Sequence, residues 1–103
     1  MSVQTDNETS VLEGEETEHA FPEEYEVIML NDDFTPMDFV VDVIIRIFHK
    51  SPVEATKLML LIHTSGKAAL GVYTYDIAAT KINEVHTRAR SEGYPLKCIM
   101  KRV

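Results

Sequence analysis

The sequence is poor in several features that define common classes of protein. It has one cysteine in 103 residues, so Cys98 has no partner for an internal disulfide, and no pair of Cys or His residues has zinc-site spacing. No apolar run approaches the ~20 residues that a membrane span requires. The N-terminus also lacks the basic and then apolar pattern of a signal peptide. We therefore expect a soluble, unexported protein of the reducing cytoplasm, without a metal or other cofactor.

Basic residues are absent from the first 24 positions, which hold eight of the chain's 17 acidic residues. The formal charge of −7 therefore comes from this segment, and no concentration of positive charge suggests a nucleic-acid partner. The segment has few large apolar side chains, so burial cannot offset the entropy of ordering it. We predict a disordered acidic extension over residues 1–24, serving either solubility or partner docking, and one folded domain over residues 25–103.

The folded part alternates between strand-like and helix-like apolar patterns. Two helix starts are marked by a hydroxyl residue that is followed by proline and, three residues after the hydroxyl, by an acid. Two helix ends are marked by glycines. The order βααβαβ predicts an α+β sandwich, with a three-stranded antiparallel sheet and three helices packed on one face. The predicted strands are residues 25–30, 67–73 and 96–102; the helices are capped by Thr35, Ser51 and Thr74, and the last two end near Gly66 and Gly93.

Two features could carry chemistry: the loop Asn31-Asp32-Asp33 after the first strand, and His63 on the second helix. Taken alone, the loop residues are typical of turns, and His63 is typical of a helix C-terminus. A small hydrolase using His63 with Asp32 or Asp33 as a base pair is one alternative. Cys98 lies in an apolar strand and no Gly-x-Ser-x-Gly turn is present, so a nucleophile is lacking and binding is favoured over catalysis. The calcium-loop pattern is not met either.

Five blocks of the sequence belong together: NDDFTPMDFV at 31–40, LMLLIH at 58–63, GKA at 66–68, GVYT at 71–74 and PLKC at 95–98. In combination they closely resemble the ClpS family, the adaptors of the Clp AAA+ protease, from about residue 25 to the C-terminus. The resemblance implies an adaptor, not an enzyme, that binds N-degrons: a free α-amino group with a bulky first residue such as Leu, Phe, Tyr or Trp. Its partner would be the N-terminal domain of a ClpA or ClpC type ATPase, which the extension would also engage.

A second likeness is confined to element order. The βααβαβ sequence of elements is similar to the C-terminal domain of a ribosomal stalk protein, which would imply a factor-docking role. The loop and His63 are not part of that domain.

The ClpS resemblance also implies roles for individual residues. Asn31, Asp33 and His63 would hydrogen-bond the α-amino group, with Asp32 supporting nearby. An α-amino group is mostly an ammonium at neutral pH, and an amide oxygen, a carboxylate and a neutral imidazole supply three acceptors for its three donors. Met37 would be a gatekeeper against β-branched first residues. The implied lining of the side-chain pocket is Thr35, Met37, Val40, Val43, Met59, Ile62 and Leu96.

Overall fold

The chain forms three strands and three helices in the predicted order, βααβαβ. A computed structural model describes residues 22–103, so the predicted extension lies outside the described residues as far as residue 21. Glu24, assigned to that extension from the sequence, already belongs to the first strand. The elements are β1 (Glu24–Leu30), α1 (Met37–Phe48), α2 (Pro52–Ser65), β2 (Lys67–Thr74), α3 (Tyr75–Ser91) and β3 (Lys97–Arg102).

The sheet has the strand order β2-β1-β3, and β1 pairs antiparallel with both neighbours. Alternate side chains of β1 point to opposite faces: Val27 and Met29 are fully buried against the helices, whereas Glu26 and Leu30 are only half-buried. A bulge in β2 interrupts the register between Val27 and Ile28. The predicted α+β class and antiparallel sheet with three helices are confirmed.

The first helix begins differently from the prediction. Thr35 does not cap α1: Pro36 occupies the cap position, and the Thr35 hydroxyl instead donates to the Asp32 carboxylate at 2.8 Å. The cap predicted for α2 is confirmed, because the Glu54 N–H donates to Ser51 Oγ at 3.1 Å. Thr74 occupies the cap position of α3 without a side-chain hydrogen bond. The first helix therefore begins one residue later than the capping signal predicts, and Thr35 belongs to the loop held by the Asp32 carboxylate three residues earlier.

The glycine stops lie close to where the sequence predicts them. Gly66, with φ of +92°, follows α2, and its N–H donates to the Ile62 carbonyl at 2.9 Å. Gly93, with φ of +82°, follows α3 after one residue. β3 begins at Lys97, so Leu96, predicted as its first residue, belongs to the preceding loop. None of the helices within residues 22–103 is long and apolar enough to cross a membrane.

Candidate functional site

Strand pairing brings the Asn31-Asp32-Asp33 loop to the end of α2. Leu30 at the end of β1 pairs with Lys67 at the start of β2, and Lys67 directly follows the helix stop at Gly66. One residue further on, the Asn31 N–H donates to the Gly66 carbonyl at 2.9 Å. Because His63 lies in the last turn of α2, this register places it beside a loop that is 30 residues earlier in the chain.

A cavity of about 180 Å³ opens at this corner, between the loop, the start of α1 and the C-terminal half of α2. It brings together nine of the eleven residues predicted for the site. Val43 and Leu96 are not among its lining residues: they are 0% and 1% exposed and pack in the hydrophobic core. The lining residues are Asn31, Asp32, Asp33, Thr35, Met37, Val40, Met59, Ile62 and His63.

Asp32 organises the loop. Its Oδ1 accepts hydrogen bonds from the N–H groups of Phe34 and Thr35 at 2.8 and 2.7 Å, and its Oδ2 accepts the Thr35 hydroxyl at 2.8 Å. Burial by itself would raise the pKa of Asp32, but these hydrogen bonds, helped by the positive charge of Arg90, hold it below its usual value. Asp32 is therefore ionised at neutral pH, and both of its oxygens already have donors.

Three other polar side chains at the cavity are left available. Asn31, Asp33 and His63 are exposed, and none of these side chains makes a hydrogen bond to another residue in the described part of the chain. Together they offer an amide oxygen, a carboxylate and an imidazole nitrogen on one side of a single small cavity. This arrangement suits a ligand with several hydrogen-bond donors and a positive charge.

The remaining wall of the cavity is apolar. Val40 and Ile62 are buried side chains of the core, while Met59 is half-buried and Met37 is 46% exposed at the mouth. The volume is comparable to the roughly 150 Å³ of an engineered apolar cavity that holds benzene. An aromatic ring or a leucine side chain is therefore of the right size, and the two methionines can adjust to either because their side chains are unbranched.

Arg90 supports the site without being signalled by the sequence. From the last turn of α3, its Nη1 donates to the carbonyls of Tyr94 and Leu96 at 2.7 and 2.9 Å. It thereby anchors the loop before β3, and its charge also acts on Asp32. In the sequence it is one of two arginines in a helix's last turn, a position that needs no explanation beyond the helix dipole.

The geometry gives no support to the hydrolase alternative. His63 makes no hydrogen bond to Asp32 or Asp33 within residues 22–103, and the Asp32 carboxylate is fully used by the loop. Cys98 is buried, which raises the pKa of its thiol to about 12, so it is not a nucleophile at neutral pH. No group of three or more His, Cys, Asp or Glu side chains in the described region could hold a metal ion.

A larger open groove lies between α1 and α3, with a volume of about 840 Å³. Its charges are matched internally, since the Asp42 carboxylate accepts from both Arg46 and Arg88 at 2.8 Å. The smaller cavity is the better candidate because Asn31, Asp33 and His63 converge on it and none of their side chains is hydrogen-bonded within residues 22–103.

The fold and the site together define a small α+β domain with a preformed ligand-binding cavity. A family model described as ATP-dependent Clp protease adaptor protein ClpS matches residues 20–99. A ClpS adapter protein of Treponema denticola is 55% identical over 82 residues, covering 80% of this chain and 81% of that protein. One from Burkholderia mallei is 50% identical over 93 residues, covering 90% and 89%. The chain belongs to the ClpS family of adaptor proteins of the ATP-dependent Clp protease.

A solved structure is similar as well. Agrobacterium tumefaciens ClpS2, bound to L-phenylalaninamide, matches with a TM-score of 0.78 and 34% sequence identity, over 81% of this chain and 100% of that one. The ligand of that protein combines a free α-amino group with a phenylalanine side chain.

Proposed function

We propose that this protein binds N-degrons, recognising a free α-amino group and a bulky hydrophobic first residue, and delivers the bound proteins to a Clp ATPase of the ClpA or ClpC type for degradation. One observation carries the proposal. The unused amide, carboxylate and imidazole of Asn31, Asp33 and His63 lie on the same cavity of about 180 Å³ as an apolar wall. A first residue offers the complementary pair of groups, an ammonium and an apolar side chain on one residue.

The polar half of the site accounts for selection of a free amino terminus. The ammonium group has three N–H donors, and Asn31, Asp33 and His63 supply an acceptor for each. Asp32 contributes indirectly by holding the loop that carries its two neighbours. An acetylated terminus has lost the positive charge and two donors, so it would leave the Asp33 carboxylate unpaired.

The apolar half accounts for selection of the first side chain. Thr35, Met37, Val40, Met59 and Ile62 surround the space that a Leu, Phe, Tyr or Trp side chain would fill, with Met37 at the mouth as gatekeeper. Val43 and Leu96 would then act from the core, through the residues that they pack against. Burial of the side chain gives roughly 1.5–3 kcal/mol and each charge-assisted hydrogen bond about as much. After the cost of association, a dissociation constant on the order of micromolar results, which suits a carrier that releases its cargo.

The protein acts as an adaptor and not as an enzyme in this proposal. Its relatives are named adapter proteins, and the described residues bring neither a serine nor a cysteine to the cavity. The folded domain would dock on the N-terminal domain of the ATPase in the cytoplasm, and residues 1–24 would assist transfer of the substrate.

Titration of fluorescent peptides tests the proposal. Peptides that begin with Phe or Leu should bind, and the same peptides acetylated at the N-terminus or begun with Ser should not. The acetylated peptide is the matched control because it differs only at the amino group. Equal binding of free and acetylated peptides would contradict the proposed chemistry. A companion assay should show a Phe-initiated model substrate degraded faster by a ClpA or ClpC protease when the protein is added.

A further inference from the structure

The sheet face opposite the helices, here called the outer face, has an apolar centre. On the central strand, Ile28 lies between Ala69 of β2 and Ile99 of β3, and all three point away from the helices. Ile99 is 40% exposed and Ala69 is exposed, whereas Ile28 between them is 9% exposed, so the described part of the chain leaves Ala69 and Ile99 uncovered on either side of Ile28. Exposed apolar side chains beside one another on a sheet are a feature of surfaces that receive a partner.

Lysines flank this apolar centre. Leu30 pairs with Lys67 on one side and Lys97 on the other, and Glu26 pairs with Lys101. The three lysines are exposed and make no salt bridge within residues 22–103. A hollow of about 350 Å³ joins this face to the exposed Leu61 of α2. The lining residues of the hollow are Glu26, Ile28, Leu61, Lys67, Ala68, Ala69 and Lys101.

The charges of the outer face discriminate between possible occupants. The three lysines outnumber Glu24 and Glu26, the two acids that β1 places on the same face, so two copies of this face would meet with an excess of like charge. A nucleic acid would find no aromatic side chain to stack on among Ile28, Ala69 and Ile99, and the chain's charge of −7 would oppose it. An acidic polypeptide with some apolar residues matches both the lysines and the centre.

We propose that the outer face binds the chain's own acidic segment, residues 6–18. This segment holds six acids and no lysine or arginine, together with Val11 and Leu12 for the apolar centre. Its 13 residues can span up to about 43 Å, whereas the seven residues of β1 cover only about 23 Å. Residues 19–23 connect it to the start of β1, so its effective concentration at the face is on the order of millimolar.

Binding of this kind is mainly electrostatic, and it weakens when salt screens exposed charges. It covers the outer face in the isolated protein. The substrate cavity is lined by other residues, although it lies near the Lys67 and Lys97 end of that face, because both lysines pair with Leu30 and the cavity begins at Asn31. The inference is independent of the proposed function, because it concerns a different face and a different ligand.

Paramagnetic NMR on the full chain tests this proposal. A spin label attached to Glu13→Cys should remove most of the amide signal intensity of Ile28, Ala69 and Ile99, while Asn83 and Thr87 in the α1–α3 groove keep theirs. Cys98 is buried and does not react with the label. The broadening should disappear at about 1 M salt, where the screening length is about 3 Å.

Charge reversal provides the matched comparison. K67E/K101E should abolish the broadening on the outer face. K50E/K57E should not, because it changes the net charge equally but lies away from that face, in the α1–α2 connection and on α2. The amide spectrum of each variant reports that it is folded. The salt dependence of the broadening in the labelled protein provides a second test that needs no lysine variant. Broadening elsewhere, broadening spread evenly over the surface, or equal effects of the two double variants would overturn the proposal.

Discussion

Substitution of Asp33 should weaken peptide binding without destabilising the protein. Substitution of the adjacent Asp32 should mainly lower the stability of the folded protein. The Asp33 carboxylate lines the cavity and makes no hydrogen bond to another residue within 22–103. Asp32 accepts three hydrogen bonds from Phe34 and Thr35. Two neighbouring residues of identical type therefore have separable roles, one toward the ligand and one toward the loop.

The magnitudes follow from these contacts. Asp33→Ala removes one charge-assisted hydrogen bond to the ammonium, worth about 1.5–3 kcal/mol, so the dissociation constant for a Phe-initiated peptide should rise about 10- to 140-fold. Its free energy of unfolding should stay within about 0.5 kcal/mol of the original. Asp32→Ala leaves donors of Phe34 and Thr35 without their acceptor and should cost about 1–3 kcal/mol of stability. That corresponds to a melting temperature lower by at least about 4 °C.

Calorimetric titration and thermal unfolding of the same preparations measure both quantities. Glu92→Ala is the control for lost negative charge, because Glu92 is exposed, lies after α3 and does not line the cavity. It should leave affinity and stability unchanged. The assignment would be refuted if Asp33→Ala bound the peptide as tightly as Glu92→Ala does, or if it lost as much stability as Asp32→Ala.

Three further predictions concern histidines. His63→Ala removes one of the three acceptors for the α-amino group, so the affinity for a Phe-initiated peptide should fall in a calorimetric titration, and an unchanged affinity would exclude this role. His86 Nε2 accepts the Cys98 N–H at 3.0 Å, and burial lowers the pKa of His86 below its ordinary 6.5. The stabilisation that neutral His86 contributes is complete above pH 6.5 and is lost as the pH falls through the lower pKa of the folded state. Urea unfolding should therefore show a smaller unfolding free energy at about pH 5 than at about pH 7.5. The difference should be smaller in His86→Gln. His49 ends α1 with φ of +57°, so His49→Gly should raise the unfolding free energy by about 0.5–1 kcal/mol, whereas His49→Ala should not; a thermal melt distinguishes them.

Local signals in the sequence were sufficient for the elements and their order. Ser51-Pro52 begins α2 and Gly66 ends it as predicted, because a cap or a left-handed residue acts within one turn of the chain. Thr35 is not the cap because α1 begins one residue later than predicted, with Pro36 at the cap position, and the Thr35 hydroxyl donates to Asp32 within the loop. The exact start of a helix depends on the geometry of the preceding loop, which the residue types do not specify.

By itself, then, the sequence determined the α+β class, the strands and helices within a few residues, and through its motifs the family. Only the tertiary structure decided which groups meet. The pairing of Leu30 with Lys67 and the hydrogen bond from Asn31 to Gly66 bring the loop beside His63, and these contacts join segments more than 30 residues apart. The same packing leaves the Asp33 side chain without a hydrogen bond among the described residues, places the Asp32 carboxylate in the loop's hydrogen bonds and buries Val43 in the core. Long-range contacts of this kind depend on the register of the whole sheet, which no short stretch of sequence specifies.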